Sequence, residues 1–323
     1  MSSRINLSIS QIAPLVGLDA YNNFPRITCE IWRKYKPDDF KIIESKLKDE
    51  NIQIATSNEY NDLWEMDEAS GTNILQQVKD LNSNKDKSSN DMVKQQDVIT
   101  KYINEQTHLT EVQKIDLTKK VCSITNKTHG ITNESSILNQ FCKLSEKTIV
   151  KTDQWVKNIK IISNSNSNSN SNSNSNSNSN SNSNTDTTTN TTATTDTEWY
   201  IIGKYDGITS DNELVEAKMR QKTLFKKVRD YENVQVQLYL HALEFEKAYL
   251  VESHTNKKGE MNIYVNEINY DSDYVNDVIL DRLKSFIQFF EVFMTNANYK
   301  EALLKGDKDR KIYKIYEEQF LSL

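Results

Sequence analysis

The chain has 323 residues, a formal net charge of −6 and 27% charged residues, with only 7 Gly and 3 Pro. That length suits one large domain or two small ones. The acidic balance excludes a surface that grips polyanions everywhere, and leaves room for a local basic groove. No apolar run approaches the roughly 20 residues of a membrane span. Met1 to Ser10 lacks the apolar core of a signal peptide, so an intracellular, cytoplasmic compartment is expected. The three cysteines, Cys29, Cys122 and Cys142, are far apart and form no C-x-x-C. They read as reduced thiols, with no zinc or iron–sulfur site.

Ser8 to Val16 reads as a short capped helix ending near Gly17, and Glu30 to Tyr35 and Asp38 to Lys48 read as helical. Residues 82–90 are polar and weakly patterned, which predicts a mobile loop. Thr110 to Val121 is a predicted helix with Thr110 as its cap. A second is predicted over Asn133 to Leu144, with Ile137, Leu138, Phe141 and Leu144 on one face. Strands are predicted around 147–162, 198–206 and 213–218, then over Lys247 to Val251 and Met261 to Tyr270. A helix over Tyr231 to Phe245 lies between the third and fourth. Two further helices, Tyr274 to Thr295 and Lys311 to Phe320, follow.

Ser163 to Asn184 is an unbroken Ser-Asn alternation, continued by a Thr-rich tract to Thr197. It offers nothing to bury and predicts disorder. Strand-like runs on either side make it the expanded tip of a β-hairpin, tolerable because loop-closure entropy grows only logarithmically with length. The order helix, three strands, helix, strand is α/β with a mixed central sheet flanked by helices. The expectation is a single domain over 1–323. It has a mainly helical part (1–125), a core (126–270), a disordered insertion (163–197) and C-terminal helices (271–323).

The chemistry concentrates between Gly203 and Tyr239. Asp206 ends one apolar run, and Glu216-Ala-Lys218 lies on the next. Alternate residues of a strand share a face, so Glu216 and Lys218 point the same way. Were the two strands antiparallel neighbours, Asp206 would lie near Glu216. Two hard carboxylates suit Mg²⁺ or Mn²⁺, with Lys218 to hold water or neutralise phosphate. Taken alone, Glu-x-Lys is more often a strand-end ion pair. Upstream, Thr128-His129-Gly-Ile-Thr-Asn-Glu134 reads as a helix start, capped by Thr132 or Asn133. Glu134 is then a first-turn carboxylate or a third acidic ligand, and His129 a further metal candidate. Gln235 and Tyr239 are one helical turn apart and share a face. Arg220, Lys222, Lys226, Lys227 and Arg229 form a basic run: a solvated loop, or a track for a phosphate backbone.

In this order, Gly130-x-x-x-Glu134, Asp206, Glu216-Ala-Lys218 and Gln235-x-x-x-Tyr239 resemble the motifs of the PD-(D/E)xK nuclease superfamily, in its lambda-exonuclease (YqaJ-type) and RecB-like branch. Ile9 to Tyr21 is similar to that family's opening motif. The resemblance implies a restriction-endonuclease-like αβββαβ core and a metal-dependent deoxyribonuclease acting on DNA ends. Glu134, Asp206 and Glu216 would hold Mg²⁺ or Mn²⁺, with Lys218, Gln235 and Tyr239 beside them. Ser10 and Arg4 would hold a terminal phosphate. It covers most of residues 4–270, apart from the Ser-Asn tract and much of 40–120, and departs from the pattern in having Tyr205 where a Pro is usual before Asp206. Related CRISPR-adaptation nucleases carry four cysteines around an iron–sulfur cluster, a set this chain does not match. The Asn- and Lys-rich composition suggests a giant-virus origin and an infected host cell. The alternatives are a structure-selective or non-specific endonuclease and a catalytically silent DNA-binding module. Beyond DNA, expected partners are a helicase or similar nucleic-acid-processing protein and a second copy of the chain. A homo-oligomer would meet through Val278, Leu280, Leu283, Phe286, Phe289 and Phe290.

Overall fold

The computed structural model describes residues 4–19, 21, 23–52, 74, 89–107, 109–161, 197–256, 259–306 and 310–321. The Ser-Asn tract and most of the expected 82–90 loop lie outside the described residues. Ser89 and Asn90 begin a helix. Along the chain come β1 (Arg4–Ser8), α1 (Ile9–Leu15), α2 (Phe24–Tyr35), α3 (Pro37–Asp49), α4 (Ser89–Glu105) and α5 (Glu111–Ser145). Then follow β2 (Ile149–Trp155), β3 (Ile159–Ile161), β4 (Glu198–Ile202), β5 (Lys204–Thr209), β6 (Leu214–Met219), α6 (Asp230–Leu243), β7 (Lys247–Thr255) and β8 (Met261–Asn269). A π-helical turn, Tyr274–Leu280, runs into α7 (Asp281–Thr295), and α8 (Ala297–Leu304) and α9 (Lys311–Gln319) close the chain. The architecture is mixed α/β, with mixed sheets flanked by helices.

The expected mixed central sheet is present, and a second sheet accompanies it. One has the order β1-β4-β3, the other β2-β5-β6-β7-β8. Both arms of the expected hairpin cross between them. β2 pairs antiparallel with β5, and β3 antiparallel with β4. The chain changes sheet at Gly203, whose carbonyl accepts from the Val156 amide at 2.9 Å. Gly203 has a packing reason. A Cβ there would fall 2.6 Å from Ile9 Cδ1 and 2.8 Å from Tyr239 Cε1. β1, which the sequence did not reveal, lies parallel to β4. The β6–β7 pair is parallel and joined through α6, as a parallel pair requires.

A correction concerns α5. The two expected helices are one, 35 residues long, capped by Thr110, whose side chain accepts from the Gln113 amide. Thr132 and Asn133, the residues expected to cap a new helix, bond back to the preceding turn, as does Thr128. Thr128 Oγ1 donates to the Ile124 carbonyl at 3.1 Å, Thr132 Oγ1 to that of Thr128 at 2.8 Å, and Asn133 Nδ2 to that of His129 at 2.8 Å. Glu134 is therefore mid-helix. One face of α5 covers the larger sheet, Ile137, Leu138 and Phe141 meeting Val215, Tyr249 and Val251. The other face of that sheet, with Leu214 and Leu250, joins α6 and the terminal helices in the main core. The apolar stripe of α7 lies in that core. Leu283, Phe286, Phe289 and Phe290 are buried within the chain itself, so it is not a free dimer face.

Candidate active site

The register of β5 and β6 sets the centre. Gly207 pairs with Val215 and Ile208 with Leu214, which brings Asp206 to the level of Glu216. Asp206 Oδ2 accepts from the Ala217 amide at 2.8 Å. Glu216 is 2% exposed, and its Oε1 accepts from Lys218 Nζ at 2.8 Å and from Gln235 Nε2 at 2.7 Å. Lys218 Nζ also donates to Gln235 Oε1 at 3.0 Å. Strand alternation aims Glu216 and Lys218 at α6, and the i, i+4 spacing of Gln235 and Tyr239 aims both at that sheet face. Tyr239 reaches past the cluster, its hydroxyl donating to the Lys204 carbonyl at 2.6 Å.

Electrostatics marks the same place. Burial, and then the charge of Glu216, push the Asp206 carboxyl up to about 8 against the pull of Lys218. Burial, Asp153 and Glu216 push Glu134 upward, so the long helix brings a further carboxyl within electrostatic reach. Burial works against the Lys218 ammonium, but Glu216 and Asp206 outweigh it and hold its pKa above the usual value. Lys218 is a cation here. Asp153, absent from the sequence reading, opposes this part of β5 from β2 and ion-pairs with Lys204.

Glu216 Oε2 is buried with no hydrogen-bond partner. A buried carboxylate oxygen left bare beside a second carboxyl is costly unless a cation or proton serves it. The donor set, carboxylates with a lysine alongside, fits a hard divalent cation such as Mg²⁺ or Mn²⁺. Among the described residues no three His, Cys, Asp or Glu side chains come close enough together to form a closed ligand set. Asp206 and Glu216 are the pair in place, with Glu134 outside direct reach.

The remaining candidates scatter. His129 is buried, with Nδ1 3.1 Å from Asn133 Nδ2, and burial lowers its pKa. It is five residues from Glu134, about 140° around the helix, and does not join the carboxylates as a ligand. Ser10 is exposed on α1, its Oγ 2.9 Å from that of Ser8. Arg4 is exposed on β1 and covers the Tyr200 ring at 4.1 Å. Arg220 is not a surface cation. It is 9% exposed and ion-pairs with the buried Glu232 and Glu252. Arg229 stacks on Phe225 at the start of α6. Lys222, Lys226 and Lys227 are exposed. Cys122 and Cys142 sit on one helix, roughly 30 Å apart along its axis. No helix among the described residues is long and apolar enough to cross a membrane.

No family model and no curated protein matches the chain. Among solved structures it is similar to the alkaline exonuclease LHK-Exo from Laribacter hongkongensis. The identity is 10%, the TM-score 0.34, and the match covers 63% of this chain and 92% of that one. LHK-Exo in complex with dAMP matches at 11% identity and TM-score 0.33, over 70% and 91% of the two chains. The crystal structure of SSO0001 matches at 14% identity and TM-score 0.32, over 67% and 83%. Similarities this remote carry nothing about the site, whose chemistry follows from the geometry above.

Proposed function

We propose that the protein is a metal-dependent deoxyribonuclease of the PD-(D/E)xK type, hydrolysing phosphodiester bonds from DNA ends. The observation that carries this reading is the unsatisfied, buried Glu216 Oε2 beside Asp206, with Lys218 and Gln235 bonded to the other oxygen of the same carboxylate. Asp206 and Glu216 would hold Mg²⁺ or Mn²⁺, with Glu134 acting on them through its charge or through water. The bound cation would make a water nucleophilic near neutral pH and offset charge on the phosphate. Lys218 uses two of its three N–H donors on Glu216 and Gln235. The third is available to a phosphate oxygen or to the attacking water. Gln235, hydrogen-bonded to both Glu216 and Lys218, keeps the lysine on the carboxylate side of the sheet. Ser10 and Arg4 would receive a terminal phosphate. With its Ser-Asn tract and Asn- and Lys-rich composition, the chain also looks like the nuclease of a giant-virus element conferring virophage resistance, which would place the activity in an infected cell, with a helicase as a partner.

The test is cleavage of end-labelled linear duplex, single strands and closed circles with Mg²⁺, Mn²⁺ or EDTA. Metal-dependent loss of linear DNA alone is expected, abolished by Asp206→Ala. Lys218→Ala should slow cleavage by at least about a hundredfold while DNA is still bound. Cut circles would show an endonuclease. DNA bound in every metal without cleavage would show a silent binding module and overturn the reading.

A further inference from the structure

Five cations between Arg220 and Arg229 look equivalent in sequence, and the structure divides them in two. The Arg220 side chain is 10% exposed, with Nη1 2.7 Å from Glu232 Oε1 and Nε 3.4 Å from Glu252 Oε2. Its guanidinium and that of Arg229 each lie 4.2 Å from the centre of the Phe225 ring, so the two cations clasp one aromatic side chain. Lys222, Lys226 and Lys227 are exposed, and among the described residues none of their ammonium groups has a carboxylate partner.

Glu252 explains the division. It is 0% exposed, on β7, in register with Lys218 of β6. A carboxylate is kept in such a place only if its charge is paired and its oxygens are bonded. Arg220 supplies the counter-charge and Asn266 Nδ2 donates to Oε1 at 3.4 Å. The donors to Oε2 are backbone amides of the loop: Phe225 at 2.6 Å and Lys226 at 3.3 Å. Lys226 sits at φ 56, a left-handed conformation that a lysine adopts only when its surroundings impose it. The anchors of this loop adjoin the candidate active site. Arg220 lies two residues beyond Lys218, roughly 7 Å along the strand, and Glu232 lies one helical turn before Gln235.

We infer that Glu252 is a positioning residue for DNA. Through Arg220, Phe225 and the loop amides it holds Gln221 to Val228 in a fixed shape that presents Lys222, Lys226 and Lys227 to the phosphate backbone leading to Lys218. The inference deepens the nuclease reading and rests on it for the identity of the polyanion. Arg220 and Arg229 serve as the clasp, and the three lysines make the contacts.

The test measures equilibrium binding of the full chain to a short duplex in EDTA, by fluorescence anisotropy over a range of salt. Each phosphate contact contributes about 0.9 to the slope of log K against log salt. Lys222→Ala/Lys226→Ala/Lys227→Ala should therefore lower the slope by up to roughly 2.7. Glu252→Gln should lower it comparably while retaining every lysine, and should add little in the triple-variant background. A merely structural Glu252 would lower the melting temperature and leave the slope of the folded protein unchanged, and that result overturns the inference. So does a triple variant with the wild-type slope, or a wild-type chain that does not bind. Should Glu252→Gln fail to fold, Phe225→Ala empties the clasp without touching the buried carboxylate, and an unchanged slope there overturns the inference equally. Binding in EDTA is independent of cleavage. A full slope pattern without hydrolysis refutes the nuclease reading alone, and hydrolysis abolished by Asp206→Ala with no slope change refutes the loop alone.

Discussion

Asp206 shows what a single buried carboxyl does to the whole protein. Its carboxyl titrates near 8 because burial, and then Glu216, disfavour the charge, whereas in an unfolded chain an Asp titrates near 3.9. Between those values the folded chain binds more protons than the unfolded one. The contribution of Asp206 is complete at the acid end of the window and is lost as pH rises through about 8. In EDTA, the difference in melting temperature between wild type and Asp206→Asn should shrink or turn negative from pH 5 to pH 8. Comparison with the variant matters because His129, whose pKa burial lowers, contributes with the opposite sign in the same range. A divalent cation competes with that proton, so stabilisation by Mg²⁺ or Mn²⁺ should grow with pH over the same window. A wild-type minus variant difference that rises with pH would refute the burial assignment. Glu216, Lys218 and Gln235 were legible in the sequence because each depends on a short-range rule, strand alternation or the i, i+4 helix face, and Asp206 because its strand pairs with the next strand in the chain. Glu252, Glu232 and Asp153 were not, because their roles come from strand register and tertiary pairing. Glu252 did leave a signal, a lone charge inside Ala248-Tyr-Leu-Val-Glu252, since a charge in a buried strand needs a partner.

At the level of elements, two glycines carry opposite meanings. Gly130, within the expected break between two helices, lies inside α5, and a Cβ there would meet nothing within 4 Å. Gly130→Ala should stabilise the protein by about 0.5–1 kcal/mol, since alanine restricts the unfolded chain and suits a helix. Gly203, at the change of sheet, would drive a Cβ into Ile9 and the Tyr239 ring. Gly203→Ala should cost roughly 1–3 kcal/mol as the core shifts to make room. Urea titrations of both variants check the pair. A destabilising Gly130→Ala would mean that the helix needs its glycine for a close approach. The same contrast explains which boundaries were legible. Thr110 is a true cap, with Gln113 closing the box, and the sequence showed it. Thr128, Thr132 and Asn133 have the same residue chemistry but spend it on the preceding turn, and local sequence does not separate the two uses. The smaller sheet is completed by β1, a five-residue strand whose partner lies nearly two hundred residues away.

For the molecule as a whole, the first and last helices share one core, which also takes in Val234, Leu238 and Tyr239 of α6. Phe24 of α2 stacks on Tyr316 of α9 with centroids 4.8 Å apart, and Phe286 and Phe289 of α7 complete the group. The Tyr316 hydroxyl donates to the Leu15 carbonyl at 2.6 Å, tying α9 to the end of α1. α1 in turn packs beside α6, which carries Gln235 and Tyr239. If α9 serves only to close this core, its loss should lower stability without altering chemistry. Tyr316→Phe removes the hydrogen bond and leaves the Leu15 carbonyl without that donor, which should cost about 1–3 kcal/mol. Phe289→Ala, which empties a ring-sized space at 0% exposure, should cost about 3–5 kcal/mol. Chemical denaturation gives both values. Cleavage assayed well below the transition gives the decisive comparison, since Tyr316→Phe should retain the wild-type rate on linear DNA and the wild-type salt slope. A folded Tyr316→Phe that binds DNA normally and cleaves slowly would show that the α9–α1 tie reaches the carboxylates through α6. The terminal helices would then belong to the catalytic framework as well as to the core.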